Sequence, residues 1–286
     1  MPVTELIRHF NTNDATGATH LFPADDRVAA WYDGLRLESL FQPVIDIGRS
    51  TVVGHEAFLA VRLQDGRPVA VDQAFSQVEE ASRLVCLDRL CRTLHTLNFL
   101  VQQRHAGGYL YLNVHPRHLL AVPSQHGLIF EAILKRCGLG PEDIVLELDE
   151  GHARDQDRFL AAVTAYRQRG YRVALDGVGL GAESRARLPA LSPDIVKMSR
   201  DLPALVENRT VPPAAVAALV TDAHGCGAVV VAQGVESAAQ LAIVRDIGAD
   251  LAQGFFLGPP RRDCAITHSR DGVAYNLPSS PPGAMP

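Results

Sequence analysis

A recurrent set of polar residues interrupts short apolar runs in this chain. Glu56 follows TVVGH, Asn113 lies in YLYLNV, and Glu147 and Glu150 lie in and after IVLEL. Asp176 ends YRVAL, Lys197 sits in DIVKM, Gln233 follows AVVVA and Gln253 lies in LAQGFFL. Glu56, Glu147 and Asp176, with the Asn113 amide, form an all-oxygen donor set. Such a set suits a hard divalent cation, Mg²⁺ or Mn²⁺. Lys197 adds a positive charge suited to a phosphate. A polar residue at a strand end also reaches solvent with no further role. Pattern alone therefore leaves two readings open, a metal or phosphate site and a set of solvated strand ends.

Other motifs carry less. Gly177-Val178-Gly179-Leu180-Gly181 is not G-x-G-x-x-G and reads as a flexible strand-to-helix loop. His55-Glu56 lacks the second histidine of H-E-x-x-H, which excludes a zincin. His115, His118 and His126 cluster loosely after a strand and read as loop surface. Ser184 and Ser192 lack the context of a nucleophile elbow. Trp31 and Tyr32 read as packing residues of an N-terminal helix.

Side chains this far apart in sequence can meet only if strand ends converge. Strand runs are expected at 41–47, 51–61, 109–114, 144–150, 171–176, 194–198, 228–232 and 251–257. Helical 3–4 spacing marks 70–103, where Phe75, Val78, Ala81, Leu84, Leu87, Leu90, Leu94 and Leu97 recur. It also marks the segments near 124–137, 156–169, 212–225 and 237–247. Strand–helix alternation of this kind predicts an α/β fold with a parallel sheet. About eight strands with short connections predict a closed (β/α) barrel, whose active groups gather at the carboxyl ends of the strands.

The chain has 286 residues, 47% of them hydrophobic and 21% charged, with a formal net charge of −5. These values exclude a wholly disordered chain. The slight acidity gives no electrostatic reason to expect direct nucleic-acid binding or an anionic membrane surface. The cysteines are Cys86, Cys91, Cys137, Cys226 and Cys264, an odd number without a C-x-x-C pair. A disulfide framework is not expected, and a reducing, cytoplasmic setting is. No signal peptide or membrane span is visible. The simplest partition is an N-terminal arm or helix over 1–34, a barrel domain over 35–263 and a largely disordered Pro/Ser-rich tail over 264–286. Residues 11–26 read as a flexible arm or loop.

Several of these motifs, taken in order, resemble the EAL domain family of bacterial cyclic-di-GMP phosphodiesterases and their inactive relatives. They are FQPVID at 41–46, VVGHEAF at 52–58, LNVHPRHL at 112–119, LELDE at 146–150, LDGVGLG at 175–181, IVKMSRDL at 195–202, VAQGVES at 231–237 and GADLAQGFFLGPP at 248–260. The resemblance covers roughly 38–262 and implies a TIM-like barrel with one antiparallel strand. Active members use two Mg²⁺ or Mn²⁺ ions to open one phosphodiester of cyclic di-GMP. By resemblance, Glu56, Asn113, Glu147 and Asp176 would hold the first ion, and Lys197 would assist the attacking water or the phosphate. Glu150 would tether the loop after Asp176, and Glu236 would support the neighbouring strand end. Gln42, Glu56, Phe58, Lys197 and Gln253 would be the nucleotide-binding candidates.

The departures from the family pattern are informative. The second aspartate, which would hold the second ion, is Gly177, and a glycine has no ligand to offer. The functional glutamate of Ala-Glu-Gly-Val-Glu is Gln233, whose amide cannot accept a proton. The arginine four residues after the first glutamate is Ala60. Arg62 lies about 6–7 Å further along the strand. A lost general base costs about 10²–10⁴ in rate, and a lost charge-assisted phosphate contact costs about ten- to a hundredfold in affinity. The loop 177–185 has also lost the family's Phe, Thr and paired Ser residues. The resemblance thus implies a degenerate member that regulates by binding a protein partner, cyclic di-GMP or both. Its vestigial catalytic residues would be Glu150, Lys197, Gln233 and Glu236, with at most one weakened Mg or Mn site. A phosphodiesterase of residual activity is the alternative. A homodimer is an expectation by resemblance alone. Nothing resembles an attached GGDEF, receiver or PAS module, so input is expected from a partner or from abundance.

Overall fold

The structure, a computed structural model, describes residues 2–12, 19–106, 108–122, 124–149, 151 and 155–265. Its strands are β1 (Thr19–Ala24), β2 (Arg27–Tyr32), β3 (Leu35–Asp46), β4 (Thr51–Arg62), β5 (Pro68–Val69), β6 (Tyr109–Val114), β7 (Ile144–Asp149), β8 (Arg172–Val178), β9 (Ile195–Met198), β10 (Val229–Ala232) and β11 (Leu251–Ala252). Its helices are α1 (Val3–Thr12), α2 (Val71–Ser76), α3 (Ala81–Ala106), α4 (Pro116–Ala121), α5 (Leu128–Cys137), α6 (Gln156–Gln168), α7 (Ala182–Leu191), α8 (Leu202–Glu207), α9 (Pro213–Gly225) and α10 (Ala238–Asp246).

The sheet closes on itself because β3 pairs with both β4 and β11. The ring runs β3-β11-β10-β9-β8-β7-β6-β4, an eight-stranded barrel. β3 is antiparallel to both neighbours, and every other pair in the ring is parallel. This is the expected TIM-like α/β barrel with one antiparallel strand. Every residue of β9 and β10 is buried, as befits parallel strands covered on both faces. Val44, Val53, Tyr111, Val145, Ala174, Ile195, Val231 and Leu251 fill the barrel interior. A larger apolar layer packs the outer faces of the strands against the helices. Ser237 starts α10 by accepting the Gln240 N–H at 3.1 Å, and Asp155 starts α6 by accepting that of Arg158 at 3.1 Å.

The N-terminal part differs from expectation. Trp31 and Tyr32 lie in β2, not in a helix, and much of the described part of 11–26 is strand. The hairpin β1–β2 continues the sheet beyond β3. Asp33 and Gly34 join β2 to β3 with φ of 50° and 78°, the doubly left-handed backbone of a tight hairpin. Apolar residues of β2 and β3 face Leu84, Leu87, Leu94 and Leu97 of α3, and Leu6 and Ile7 of α1 join them. Asn98 pins β2 down: its Oδ1 accepts the Val28 N–H at 2.9 Å and its Nδ2 donates to the Val28 carbonyl at 2.8 Å.

Other expectations change in detail. The helical run 70–103 is two helices, α2 and α3. The run 251–257 is strand only at Leu251–Ala252 and then turns. Gly177 belongs to β8 and not to a flexible loop. His118 and His126 are buried, and His115 stacks on Phe75 with ring centroids 4.6 Å apart. The cause lies in α3, where buried Asp88 accepts the His115 N–H at 2.9 Å and lies 3.1 Å from His118 Nδ1. Among the described residues no helix is long and apolar enough to cross a membrane. The tail from residue 266 lies outside the described residues.

Candidate active site

Parallel register carries the polar residues to one end of the barrel. Glu56 on β4 is paired with Gln42 on β3 and Tyr111 on β6, and Asn113 on β6 is paired with Glu147 on β7. Asp176 is the last residue of β8 paired with β7, Lys197 lies on β9, and Gln233 and Gln253 follow β10 and β11. One network results. Lys197 is fully buried, and its Nζ donates to Glu56 Oε2 at 2.6 Å and to Glu147 Oε1 at 2.5 Å. Asn113 Nδ2 donates to Glu56 Oε1 at 3.0 Å, and Gln253 Nε2 donates to Glu56 Oε2 at 2.8 Å. Gln253 Nε2 also lies 3.2 Å from Gln42 Oε1, and Gln42 Nε2 donates to the Gly258 carbonyl at 2.9 Å.

The electrostatics follow from two carboxylates sharing one ammonium. Burial alone would push the Glu56 carboxyl up, but the Lys197 charge and the donors Lys197, Asn113 and Gln253 outweigh it and hold it down. Burial, followed by the Glu56 charge, pushes Glu147 well above the usual carboxylate range despite Lys197. Burial opposes the Lys197 charge, yet the nearby Glu147, Glu56 and Asp176 carboxylates raise its basicity. One ammonium thus faces two carboxyl groups, with the charged form favoured at Glu56 and disfavoured at Glu147.

Next to the trio, Gln233 Nε2 donates to Asp176 Oδ1 at 2.5 Å and to the Met198 carbonyl at 3.2 Å. The same Oδ1 accepts the Gly177 N–H at 2.8 Å. Gly177 has φ of 75°, and a Cβ built there meets nothing within 4 Å. Gly234, with φ of 71°, has no such room: a Cβ would lie 2.1 Å from the Arg200 carbonyl oxygen. That close approach locks the β10–α10 loop onto the turn after β9 and fixes Gln233 beside Asp176.

Above these groups opens a cavity of about 340 Å³. Phe58, Arg200, Asp201, Glu236 and Phe255 line it along with Gln42, Gln233 and Gln253. Glu236 is exposed at the mouth, and its backbone N–H donates to Gln240 Oε1 at 2.7 Å. Glu150 lies outside the described residues. Sequence reasoning missed Arg200, Asp201 and Phe255, although Arg200 and Asp201 directly follow the carboxyl end of β9. Ala60 pairs with Glu38, whose carboxylate takes Arg36 at 2.9 Å and Arg62 at 3.9 Å. Arg62 also donates to the Gly66 carbonyl at 3.1 Å, away from the cavity.

Glu147 Oε2 is buried without a hydrogen-bond partner, the kind of oxygen a cation would take. Both Glu56 oxygens and Asp176 Oδ1 already accept hydrogen bonds. Among the described residues no group of three or more His, Cys, Asp or Glu forms a preformed cage. The chemistry fits one ion, reached by displacing amide donors, and offers no side chain at Gly177 for a second.

Comparison with known proteins agrees with this architecture. A family model described as the EAL domain matches residues 30–260. The bifunctional diguanylate cyclase/cyclic di-GMP phosphodiesterase MucR of Pseudomonas aeruginosa is 25% identical over 229 residues, 77% of this chain and 32% of that protein. The cyclic di-GMP phosphodiesterase NbdA of the same organism is 26% identical over 260 residues, 86% of this chain and 31% of that protein. The chain thus spans about a third of the length of these curated relatives. The PaMucR phosphodiesterase in complex with c-di-GMP superposes with a TM-score of 0.69 at 23% identity, covering 79% of this chain and 92% of that one. Klebsiella pneumoniae BlrP1, in a manganese and cyclic-di-GMP complex, gives 0.67 at 23% identity, covering 79% of this chain and 56% of that one.

Proposed function

From the premise that this chain belongs to the EAL domain family, we propose that it serves cyclic-di-GMP signalling by binding and not by cutting. It acts as a regulator that holds cyclic di-GMP, a protein partner, or both. The observation that carries this reading is the Gln233–Asp176 hydrogen bond beside Gly177. An amide donor occupies the carboxylate oxygen that a cation would need, and the next residue has no side chain. Gln233 cannot take a proton from water, which removes about 10²–10⁴ of rate if that position served as general base.

The residues that remain suit holding a ligand. Lys197 keeps a buried positive charge beside Glu56, Arg200 lines the cavity, Gln42 and Gln253 present amides, and Phe58 and Phe255 offer aromatic faces. A divalent cation, when bound, would polarise the phosphodiester. Glu147, Asp176, Glu56 and Asn113 are the residues that would hold it. The loss of an arginine at Ala60, with Arg62 turned to Glu38 and Gly66, weakens nucleotide affinity and favours a protein partner as the principal ligand.

A phosphodiesterase of residual activity is the second reading, favoured by the unpartnered Glu147 Oε2 and the surviving oxygen donors. Chromatography after incubation with cyclic di-GMP and Mn²⁺ separates the two, because only the second yields the linear dinucleotide. Calorimetry with the same nucleotide then divides the first. Saturable micromolar heat identifies a receptor, and no heat identifies a regulator that works through protein contacts alone.

A further inference from the structure

On the outside of the barrel, α3, the α4–α5 connection and the first turn of α5 enclose a separate cavity of about 220 Å³. Its wall carries the side chains of Arg89, Arg92, His118, Ser124 and Gln125, and no acidic residue lines it. Arg92 and His118 are 2% and 3% exposed. Both are aimed at one carboxylate, that of Asp88: Arg92 Nε donates to Oδ2 at 3.0 Å, and His118 Nδ1 lies 3.1 Å from the same oxygen. The other Asp88 oxygen is taken by the His115 N–H. Asp88 is thus fully committed, and its one charge balances Arg92.

Arg89 has no such balance. It is half-buried, and its guanidinium has no hydrogen-bond or ion-pair partner among the described residues. Burial and then the neighbouring Arg92 charge lower its basicity. The acid in the first turn of α5, Glu131, is turned away to Arg169 at 2.9 Å. Gly127 gives α5 no side-chain cap, so the positive end of that helix adds to the same field. A partly open cavity lined by a guanidinium that forms no ion pair has a place for an anion. Its volume lies below that of pockets for drug-sized ligands, which start at about 300 Å³. A guanidinium fork matches a tetrahedral oxyanion in two-point fashion.

We propose that this cavity binds a phosphate group, with Arg89 as the principal charge and His118, Ser124 and Gln125 around it. The phosphate is either that of a small soluble phosphomonoester or the headgroup of an anionic lipid, whose chains would meet exposed Leu128 and Ile129. None of these residues belongs to the barrel mouth, so the proposal stands apart from the reading of that site.

The test is calorimetric titration of the full chain with inorganic phosphate, against chloride at equal ionic strength. Saturable binding is expected, weakened about tenfold or more by Arg89→Gln. Arg89 makes no side-chain hydrogen bond or ion pair, so the substitution breaks none, and an unchanged melting temperature verifies the fold. Gln125 holds φ of 56°, so Gln125→Gly relieves its backbone while removing the amide, and it too should weaken binding. Gln253→Ala, at the barrel mouth, should leave phosphate binding as it was. Flotation with vesicles of phosphatidic acid in phosphatidylcholine assigns the source. Arg89-dependent flotation supports a lipid headgroup, and phosphate binding without flotation supports a soluble ligand. No saturable binding to either probe, or equal binding by Arg89→Gln, overturns the proposal.

Discussion

Replacing Lys197 by methionine probes the buried trio at its centre. The methionine retains most of the side-chain volume and removes the ammonium that sits 2.6 Å from Glu56 and 2.5 Å from Glu147. Breaking a buried ion pair from one side costs about 3–5 kcal/mol, because the partner charge is left uncompensated. At about 2–4 °C per kcal/mol for a chain of this size, melting should fall by roughly 6–20 °C near neutral pH. The loss should depend on pH. In the wild type Glu56 is held below its ordinary value, so its stabilisation is present above the unfolded pKa and fades as pH falls. In the variant, burial unopposed by Lys197 raises both carboxyl groups. Their folded pKa values then exceed the unfolded ones, so the variant is best off in acid and loses stability as pH rises through the folded values. The gap between the two proteins should narrow from pH 8 to pH 5. Mn²⁺ should restore part of the variant's stability by supplying the missing positive charge. Thermal melts followed by circular dichroism across that range give the answer. A loss under about 1 kcal/mol, well short of that range, or a gap constant with pH, would refute a trio held together by one ammonium.

Three further outcomes follow from the same geometry. Gln233→Glu with Gly177→Asp should raise Mn²⁺-dependent hydrolysis of cyclic di-GMP by about 10²-fold or more, measured as linear product. Space at residue 177 is open, but its left-handed backbone should cost about 1–2 kcal/mol of stability. Ala60→Arg should tighten cyclic-di-GMP binding about tenfold or more in calorimetry, and unchanged affinity would mean that Glu38 captures the new guanidinium. Burial lowers His55 and His95 to about 4 from an ordinary 6.5. Both stay neutral when folded, so their stabilisation is present above pH 6.5 and is lost as pH falls towards 4. Denaturant titrations should lose on the order of 3 kcal/mol per histidine over that window, and a flat profile would contradict it.

Much of the barrel was legible because parallel strands buried on both faces must be apolar throughout, so each polar residue in them stands out. Glu56, Asn113, Glu147, Lys197 and Gln253 were found that way, and the structure joins them in one network. The order of the motifs also supplied the single antiparallel strand. What the sequence hid has physical reasons. β11 is two residues long because the chain bends at Gly254, where a Cβ would lie 2.1 Å from the Val235 carbonyl oxygen. β1 and β2 were read as arm and helix because RVAAWY lacks strict alternation. The Asp33-Gly34 pair was the signal that would have revealed the hairpin. His118 and His126 looked like loop surface because nothing local announces their partners, Asp88 on α3 for His118 and Tyr166 on α6 for His126. The charge state of the trio was beyond sequence reasoning, since it depends on two carboxyl groups from different strands meeting one ammonium.

The most direct measurement of the central claim uses the unmodified chain with cyclic di-GMP and Mn²⁺, resolved by chromatography over hours. A pocket with Gly177 and Gln233 should leave the cyclic nucleotide intact while the Gln233→Glu, Gly177→Asp variant converts it. Rapid conversion to the linear dinucleotide by the unmodified chain would contradict the account.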